Sequence, residues 1–447
     1  MNPFIQRNHR LGGAVLLSTI MAILPLTPVP AHPAQAGSGT SIYSVTDLGT
    51  LGGPFSRANA INNQGQIAGG SLTAIPDPTN PGSTEVHPFL WQNGVMTDLG
   101  TLGGPDASYD FSGNVVGATG INERGQISGF ATHNAVFDPM CGPDSEHGRP
   151  AGGTCNDAFL WANGTMTDLG ALGGVTGLGN SFSTANAIND RGQSAGGALT
   201  TIPFPFNPAL KQFHAALWDG GVARDLGTLP GSRYSEAFGI NDLGQVVGES
   251  RQHPFFWSQG VMTDVGTLEG PTGFALAINN LGQVVGGADT TIPDPSNPGG
   301  VLAHAFLWTG GQARDLGTIP SGSNSEAHGI NNQGQIVGLE CCAGDLFDAL
   351  LWQNGTVVDL NTLIPASSGW YLAEADGIND RGQIVGWGLN PSGRFDAYLL
   401  TPSPAQDPGM GARDETVLAA RSRTALAKLP TDIRRHLGLR IAGADGA

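Results

Sequence analysis

The chain has 447 residues, of which 69 are Gly and 30 are Pro, while aromatic residues make up only 7%. Residues 37–411 hold 33 Asp and Glu but only 11 Lys and Arg, so this part of the chain is strongly acidic. Such a charge repels phosphate backbones, which argues against nucleic acid as a partner. High Gly and Pro contents together with short apolar runs are typical of many short strands and turns rather than of disorder.

The first 36 residues have the pattern of a secretory signal. Two arginines precede an apolar stretch at residues 11–26, and Ala34-Gln35-Ala36 fits a cleavage site. That stretch is short and ends in prolines, so a cleaved signal is favoured over a retained membrane anchor. We therefore expect residues 1–36 to be removed and the mature protein to be secreted, outside the cell or into the periplasm. We expect a monomer with no transmembrane anchor.

Four short segments then recur in a fixed order. The first is rich in small residues and leads through a tight turn into the second, as in Ile61-Asn62-Asn63-Gln64-Gly65-Gln66. The third ends in Trp, as in Phe89-Leu90-Trp91, and the fourth ends in Asp-Leu-Gly, as in Asp98-Leu99-Gly100. The Ile-Asn-x-x-Gly-Gln motif occurs seven times, with its first residue at Ile61, Ile121, Ile188, Ile240, Ile278, Ile330 and Ile378.

The length of these segments predicts strands. Each has four to six residues between turn residues, which is too short for a helix. Asn-Gly pairs between third and fourth segments, such as Asn93-Gly94, are hairpin signals because both positions tolerate positive φ. The distance between successive motifs varies from 38 to 67 residues. This variation argues against a solenoid with constant rungs and favours propeller blades, whose loops lie on the faces of the ring.

The two ends of the repeat region complement each other. Residues 42–48 are a lone fourth segment, and the last repeat stops after its third segment at residues 396–400. Pairing of these two segments would close a ring and remove exposed sheet edges. We therefore predict an all-β fold, a seven-bladed β-propeller over residues 42–402 that is closed by the N-terminal strand completing the last blade. The small-residue segment is expected to be innermost and the Asp-Leu-Gly segment outermost.

Strand parity separates two faces of this ring. All tight turns lie on one face, the turn face, and the long inserts lie on the other, the insert face. Three related inserts, at residues 75–81, 202–208 and 292–298, belong to the first, third and fifth blades. Residues 403–447 follow the ring as a Pro/Gly linker and a basic tail. For this tail a loosely ordered terminus is favoured over a short helix at residues 415–429.

Three motifs carry a resemblance to a known family. They are His304-Ala305-Phe306-Leu307-Trp308, Asp315-Leu316-Gly317-Thr318 and the run from Ile330 through Gly334-Gln335. Their order and recurrence over residues 42–401 resemble the HAF-repeat family of bacterial extracellular proteins. The resemblance implies an exported repeat protein without a settled biochemical activity, and it supplies no catalytic residues.

Four carboxylates near the insert face are the candidate binding residues. Asp77 and Asp294 lie in the inserts, and Glu249 and Glu340 directly follow second segments. Carboxylates in loops at a propeller face can bind calcium, which is the one cofactor we consider. The spacing matches no known calcium loop, so solvated acidic loops are favoured over a calcium site. No metal ligand is assigned.

Two further sets of residues have structural interpretations. Cys141 and Cys155 bracket a Gly/Pro-rich loop, and in an exported chain they are predicted to form a disulfide. The recurring Asp of the fourth segment and the polar residue that begins each third segment are expected to make structural hydrogen bonds rather than to bind a metal. The latter residues are His87, Asp157, His214, His253, His304, Asp348 and Asp396.

The motifs of common enzyme classes are missing from the sequence. It contains no nucleophile elbow, His-Glu-x-x-His pair, phosphate-binding loop or dinucleotide fingerprint. The sequence therefore favours a non-enzymatic binding or interaction module that acts through the insert face on a glycan, a cell-wall component or a protein. The alternative is a cation-assisted enzyme of the glycoside hydrolase, lyase or lactonase type. Carboxylates that converge at the axial mouth of the ring would support this alternative.

Overall fold

A computed structural model describes residues 42–78, 82–105, 117–138, 153–176, 179–205, 207–295, 297–320, 323–341 and 347–403. The predicted signal sequence, Cys141 and the tail beyond residue 403 lie outside these residues. The described chain forms seven antiparallel blades of four strands each, arranged in a ring. This confirms the all-β seven-bladed propeller. No helix in the described ranges has the length and apolar character needed to cross a membrane.

In each blade the Ile-Asn motif joins the two inner strands. The innermost strands of blades 1 to 7 are β2 (Gly52–Ile61), β6 (Ala118–Ile121), β10 (Ser183–Ile188), β14 (Glu236–Ile240), β18 (Gly273–Ile278), β22 (Asn324–Ile330) and β26 (Tyr371–Ile378). The second strands are β3 (Ile67–Pro76), β7 (Ile127–Asp138), β11 (Ser194–Phe204), β15 (Val246–Ser250), β19 (Val284–Pro293), β23 (Ile336–Cys341) and β27 (Ile384–Leu389).

The outer half of each blade is a second hairpin. The third strands are β4 (Thr84–Gln92), β8 (Gly153–Ala162), β12 (Asn207–Asp219), β16 (His253–Ser258), β20 (Val301–Trp308), β24 (Asp348–Gln353) and β28 (Phe395–Pro402). The outermost strands are β5 (Val95–Asp98), β9 (Thr165–Asp168), β13 (Val222–Gly227), β17 (Val261–Asp264), β21 (Arg314–Asp315), β25 (Thr356–Asp359) and, in blade 7, β1 (Tyr43–Gly49). Two 3-10 turns follow β25, at Leu360–Leu363 and Ala366–Ser368.

The ring closes as the sequence predicts. Each inner strand contacts the inner strand of the next blade, and β26 contacts β2. Strand β1 pairs with β28, from Tyr43 opposite Pro402 to Gly49 opposite Ala397. One parallel pairing, between Phe55 and Phe395, joins the first and last blades into a mixed sheet, and the other five blades are separate sheets.

The blades pack on one another through apolar side chains. Phe89, Phe159, Phe255 and Phe306 take the same third-strand position in four blades, and all are fully buried. Glycine in the second strand lets these rings approach the inner strand closely. A Cβ atom at Gly69 would lie 2.1 Å from the carbonyl oxygen of Arg57 and 2.8 Å from the Phe89 ring. The inner half of the ring is therefore assembled from backbone and small side chains, with the aromatic layer behind it.

The Asn of the seven motifs closes a ring of hydrogen bonds around the axis. Each Asn Nδ2 donates to the carbonyl oxygen of the equivalent Asn in the next blade at 3.0 Å, and the last, Asn379, donates to Asn62. In a second ring, the following residue of each motif donates its backbone N–H to the side chain of its counterpart at 2.7–2.9 Å. The two rings line a shallow depression of about 180 Å³ on the turn face.

Candidate functional site

The inserts of blades 1, 3 and 5 share one structure on the insert face. Each continues the second and third strands as an extended hairpin, after a register shift that precedes Pro76, Pro203 or Pro293. In each, a Thr hydroxyl accepts the backbone N–H of the Ile two residues later at 3.0–3.1 Å. The three equivalent isoleucines are exposed, at 48% for Ile75, 42% for Ile202 and 46% for Ile292. Aliphatic side chains are thus presented to solvent at equivalent positions on alternate blades.

A charged cluster lies on the inner strands of blades 6, 7 and 1. Arg57 donates through Nη2 to Glu374 at 2.6 Å, and through Nη2 and Nε to Asp376 at 2.5 and 3.1 Å. His328 places Nδ1 3.1 Å from Glu374 and 3.3 Å from Asp376, and Nε2 3.1 Å from Glu326. Arg57, Glu374 and Asp376 are buried, so this axial cluster connects three blades at the place where the ring closes.

Burial and charge act in opposite directions within the axial cluster. Burial disfavours the charged imidazole, but hydrogen bonds to Asp376, Glu326 and Glu374 outweigh it and raise the pKa of His328 well above its usual value. Burial also disfavours a charged Glu374, yet the Arg57 guanidinium lowers the pKa of that carboxyl to about 2. Two cationic side chains therefore face three carboxylates, which makes the cluster close to balanced in charge.

The axial cluster also has the residue types of a metal site. Ligand atoms of His328, Glu374 and Asp376 lie within 4.8 Å of one another. However, Arg57 already bonds both carboxylates, and both imidazole nitrogens of His328 face carboxylates. A metal would have to displace these cations from a buried position, so the donor set fits a structural ion network better than a metal centre.

A second carboxylate pair lies between blades 3 and 4. Glu236 on β14 accepts from Thr184 Oγ1 and Asn186 Nδ2 at 2.9 Å, and from Tyr234 Oη at 2.8 Å. Glu249 lies directly opposite Glu236 on β15. Burial and the Glu236 carboxylate raise the pKa of Glu249 to about 8. A pKa of about 8 means that the Glu249 carboxyl keeps its proton at neutral pH.

The recurring Asp of the outermost strand has a structural role in every blade. Its Oδ1 accepts the backbone N–H two residues later at 2.6–2.9 Å. In four blades a His at the start of the third strand places Nδ1 2.8–3.2 Å from the same carboxylate. These contacts agree with the structural hydrogen bonding that we expected for both series.

The predicted binding residues lie on four different blades. Asp77 and Asp294 are in the hairpins of blades 1 and 5, where their backbone N–H groups bond Ser83 and Gly300 at 3.1 Å. Glu249 on blade 4 faces Glu236, and Glu340 on blade 6 lies opposite Asp348. Each carboxylate therefore has its own local surroundings, and their role in binding stays a prediction.

Of the two cysteines in the predicted disulfide, the structure describes Cys155. Cys155 is buried and disulfide-bonded. Cys141, its predicted partner, lies outside the described residues.

Sequence reasoning did not identify the axial cluster. Its residues stand two and four positions before the Ile of the motif, where blades 2 to 5 have Gly, Thr, Asn, Phe or Leu and, in blade 4, Glu236. Charged residues in an otherwise small and apolar segment were the available signal. The residues of the cluster lie on three neighbouring blades, and blade 1 is far from blades 6 and 7 in the chain, so only ring closure brings Arg57 to Glu374 and Asp376.

Comparisons with known proteins find propellers among solved structures. The propeller domain of the trilobed protease from Pyrococcus furiosus aligns with a TM-score of 0.44 and 8% identity, over 84% of this chain and 99% of that one. A gluconolactonase from Xanthomonas campestris aligns with a TM-score of 0.37 and 10% identity, over 83% and 94%. The Aleuria aurantia lectin gives a TM-score of 0.29 and 12% identity, over 80% and 100%.

These likenesses concern the propeller fold alone. No family model matches the chain, and no curated protein matches it either.

Proposed function

We propose that this chain is an exported propeller of the HAF-repeat type that acts as a binding module, with a protein partner held on the insert face. The observation that carries the proposal is the repetition of one structure on alternate blades. Ile75, Ile202 and Ile292 are each exposed behind the same Thr turn. An exposed isoleucine adds little to the core of its blade, so three equivalent ones favour an interaction surface.

The chemistry of the hairpins favours a protein over a glycan. Sugar sites are usually built from aromatic faces with polar groups around them, whereas the feature that all three hairpins share is an aliphatic side chain followed by proline, and aromatic residues occur only in the blade 3 insert, at Phe204 and Phe206. Aliphatic groups gain free energy mainly by leaving water against another apolar surface, which a folded protein can supply.

The axial cluster also supports binding over catalysis. Its carboxylates converge near the axis, as the enzyme alternative requires, but Arg57 and His328 occupy them. A general acid or base needs a proton that it can exchange with a substrate, and groups held in a balanced ion network are poor candidates.

The test compares two triple variants of the purified protein. In the first, Ile75, Ile202 and Ile292 are all changed to Ser. In the second, three valines of the outermost strands that are more exposed than the isoleucines, Val95, Val222 and Val261, are changed to Ser; their exposures are 60%, 68% and 64%. Partners are captured from secreted and envelope proteins of the source organism on the immobilised wild type, purified, and titrated by calorimetry.

We expect the Ile variant to bind such a partner about 100-fold more weakly, since each side chain contributes about 1 kcal/mol of apolar burial. The Val variant should bind as the wild type does, and both should keep the wild-type circular dichroism spectrum. Equal affinity of the Ile variant would overturn the insert-face proposal. The proposal would also be overturned if the ligand proved to be a glycan that binds the Ile variant and the wild type equally well.

One observation favours the enzyme alternative. Glu249 keeps a proton at neutral pH and lies opposite a second carboxyl, Glu236, and a proton-bearing carboxyl beside a second one is the pair that glycoside hydrolysis uses. A panel of polysaccharides and lactones is the appropriate assay. Turnover by the wild type that is lost in Glu249→Gln would replace the binding assignment with an enzymatic one.

A further inference from the structure

Three blades carry a Glu at the same position of the innermost strand, four residues before the Ile of the motif. They are Glu236 in blade 4, Glu326 in blade 6 and Glu374 in blade 7. Each of these side chains lies close to a side chain from the innermost strand of the preceding blade. The residues of the preceding blade therefore decide how well each carboxylate is bonded.

In blade 4 the carboxylate has a full set of donors. Thr184 Oγ1 and Asn186 Nδ2 both donate to Glu236 Oε1 at 2.9 Å. Tyr234 Oη donates to Oε2 at 2.8 Å. Thr184 and Asn186 belong to blade 3, where they stand four and two positions before the Ile of the motif. These two positions of a preceding blade can thus satisfy the carboxylate that follows it in the ring.

In blade 5 the same two positions hold Phe274 and Leu276, which have no side-chain donor. Phe274 meets the carboxylate side chain of blade 6 directly. A Cβ atom at Gly287 would lie 3.0 Å from Cζ of Phe274 and 3.4 Å from Cγ of Glu326. In the described chain, His328 Nε2, 3.1 Å from Oε1, is the one side-chain donor that reaches Glu326. Apolar groups therefore stand where the equivalent carboxylate of blade 4 has donors.

The apolar pair and the carboxylate are all open to solvent. Phe274 and Leu276 are partly exposed, and the side chain of Glu326 keeps 15% of its exposure. Apolar surface that remains in water and a carboxylate with few donors both cost free energy. The axial cluster around Glu326 also holds three carboxylates against two cationic side chains, so it lacks one positive charge.

We propose that Glu326, Phe274 and Leu276 bind a small organic cation, an ammonium group on an apolar or aromatic body. The ammonium would replace the donors that Glu236 receives in blade 4, and the body would cover the two apolar side chains. An ammonium beside the Phe274 ring also gains a cation–π interaction. Its charge would complete the balance of the axial cluster. The site uses none of the three isoleucines and does not depend on the proposed partner.

The site is tested on the full chain with three probes. Benzylammonium has both the charge and the apolar body, benzyl alcohol is its neutral isostere, and methylammonium has the charge alone. Saturation-transfer NMR detects bound probe, and calorimetry measures its affinity. For benzylammonium, with about eight non-hydrogen atoms, we expect a Kd on the order of 10⁻³ M. The other two probes should bind roughly tenfold more weakly.

Each probe can contradict a different part of the proposal. Equal binding of benzyl alcohol would overturn the role of the charge. Equal binding of methylammonium would overturn the role of the apolar pair. If benzylammonium does not bind the wild type at about 10 mM, the whole site is refuted.

Two variants remove the site in different ways, and a third is the matched control. Phe274→Thr combined with Leu276→Asn rebuilds in blade 5 the two donors of blade 3, so the fold should tolerate it while benzylammonium binds roughly tenfold more weakly. Glu326→Gln keeps the shape of the side chain and should have an effect of about the same size. Glu236→Gln, at the equivalent position of blade 4, should bind as the wild type does.

Circular dichroism checks that each variant is folded. Unaltered benzylammonium binding in both site variants would refute the site. An equal loss in the blade 4 control would show that binding does not depend on this particular carboxylate, which would also refute it.

Discussion

Glu249 shows how a single residue can link stability to pH. Its pKa is raised to about 8 by burial and by Glu236, so the folded chain holds a proton that the unfolded chain releases near pH 4 to 5. A raised pKa contributes stability that is fully present below the unfolded value and is lost as pH rises through the folded value. The stability of this protein should therefore fall between about pH 5 and pH 9.

Glu249→Gln removes that dependence because glutamine does not titrate. We expect the variant to gain stability relative to the wild type as pH rises, by on the order of 2–3 kcal/mol between pH 5 and pH 9. Urea denaturation at several pH values measures this difference. Glu269→Gln, on an exposed loop, is the matched control and should follow the wild type. Parallel pH curves for wild type and Glu249→Gln would contradict the argument.

In the axial cluster, the role of Arg57 depends on residues that are distant in the chain. Arg57 bonds two buried carboxylates of another blade, so it can stabilise the protein through these ion pairs only when the ring is closed. The local sequence shows a charge within a segment of small residues, but it does not show which residues Arg57 bonds. The sequence alone could not predict the role of the Arg57 side chain, because its partners are more than 300 positions away in the chain.

At the scale of the element, the Ile-Asn turn is held by one side chain. Asn241 Oδ1 accepts the backbone N–H of Leu243 and of Gln245 at 3.1 and 3.0 Å. Its Nδ2 donates to Gln245 at 2.7 Å and to the carbonyl oxygen of Asn279 in the next blade at 3.0 Å. The same four bonds recur in the other motifs, so this Asn both forms the turn and joins neighbouring blades.

Asn241→Ala should therefore be costly for a substitution in a turn. It leaves the backbone N–H groups of Leu243 and Gln245 and the buried carbonyl group of Asn279 without these partners, and we expect a loss of about 2–4 kcal/mol in the free energy of unfolding. The neighbouring Asp242→Asn keeps the oxygen that accepts the N–H of Asp190, so its effect should stay within about 0.5 kcal/mol. Chemical denaturation measures the free energy of unfolding of both variants. A loss below 1 kcal/mol in Asn241→Ala would show that water replaces the lost hydrogen bonds.

Tight turns could be predicted from the sequence. Asn93, Asn163 and Asn354 have φ of 52°, each followed by a Gly with positive φ, as the Asn-Gly signal predicts. The inserts were harder to interpret, since their Ile-Pro runs read as irregular loops. In the structure they extend the strands beyond a bulge, because the Thr hydroxyl replaces one ladder bond and lets pairing resume at Pro76, Pro203 and Pro293.

For the whole molecule, the pairing of β1 with β28 decides whether the ring is closed. Tyr43 and Leu48 of β1 are buried, and Tyr43 belongs to the core shared by blades 6 and 7. Without β1, strand β28 would become an exposed edge, which is a template for pairing with another chain. Closure therefore affects stability and solubility together.

Removal of residues 42–49 tests this dependence. We expect the melting temperature to fall by roughly 10 °C or more and the protein to self-associate, because the last blade loses a strand and part of its core. Differential scanning fluorimetry and light scattering after gel filtration measure both effects. A circular permutant that carries residues 42–50 after Ser403 should restore both properties. A truncated chain that is stable and monomeric would show that β1 is dispensable.

The sequence by itself determined the strands, the turns, the number of blades and the manner of closure. These depend on local patterns that repeat seven times, and on one segment missing at each end, so counting was sufficient. Only the tertiary structure decided which side chains meet across the ring. The bonds of Arg57 and the pairing of Glu249 with Glu236 both follow from the approach of neighbouring blades and strands. The Ile-Asn motif thus specifies a closed scaffold, and the differences between blades supply the candidates for function.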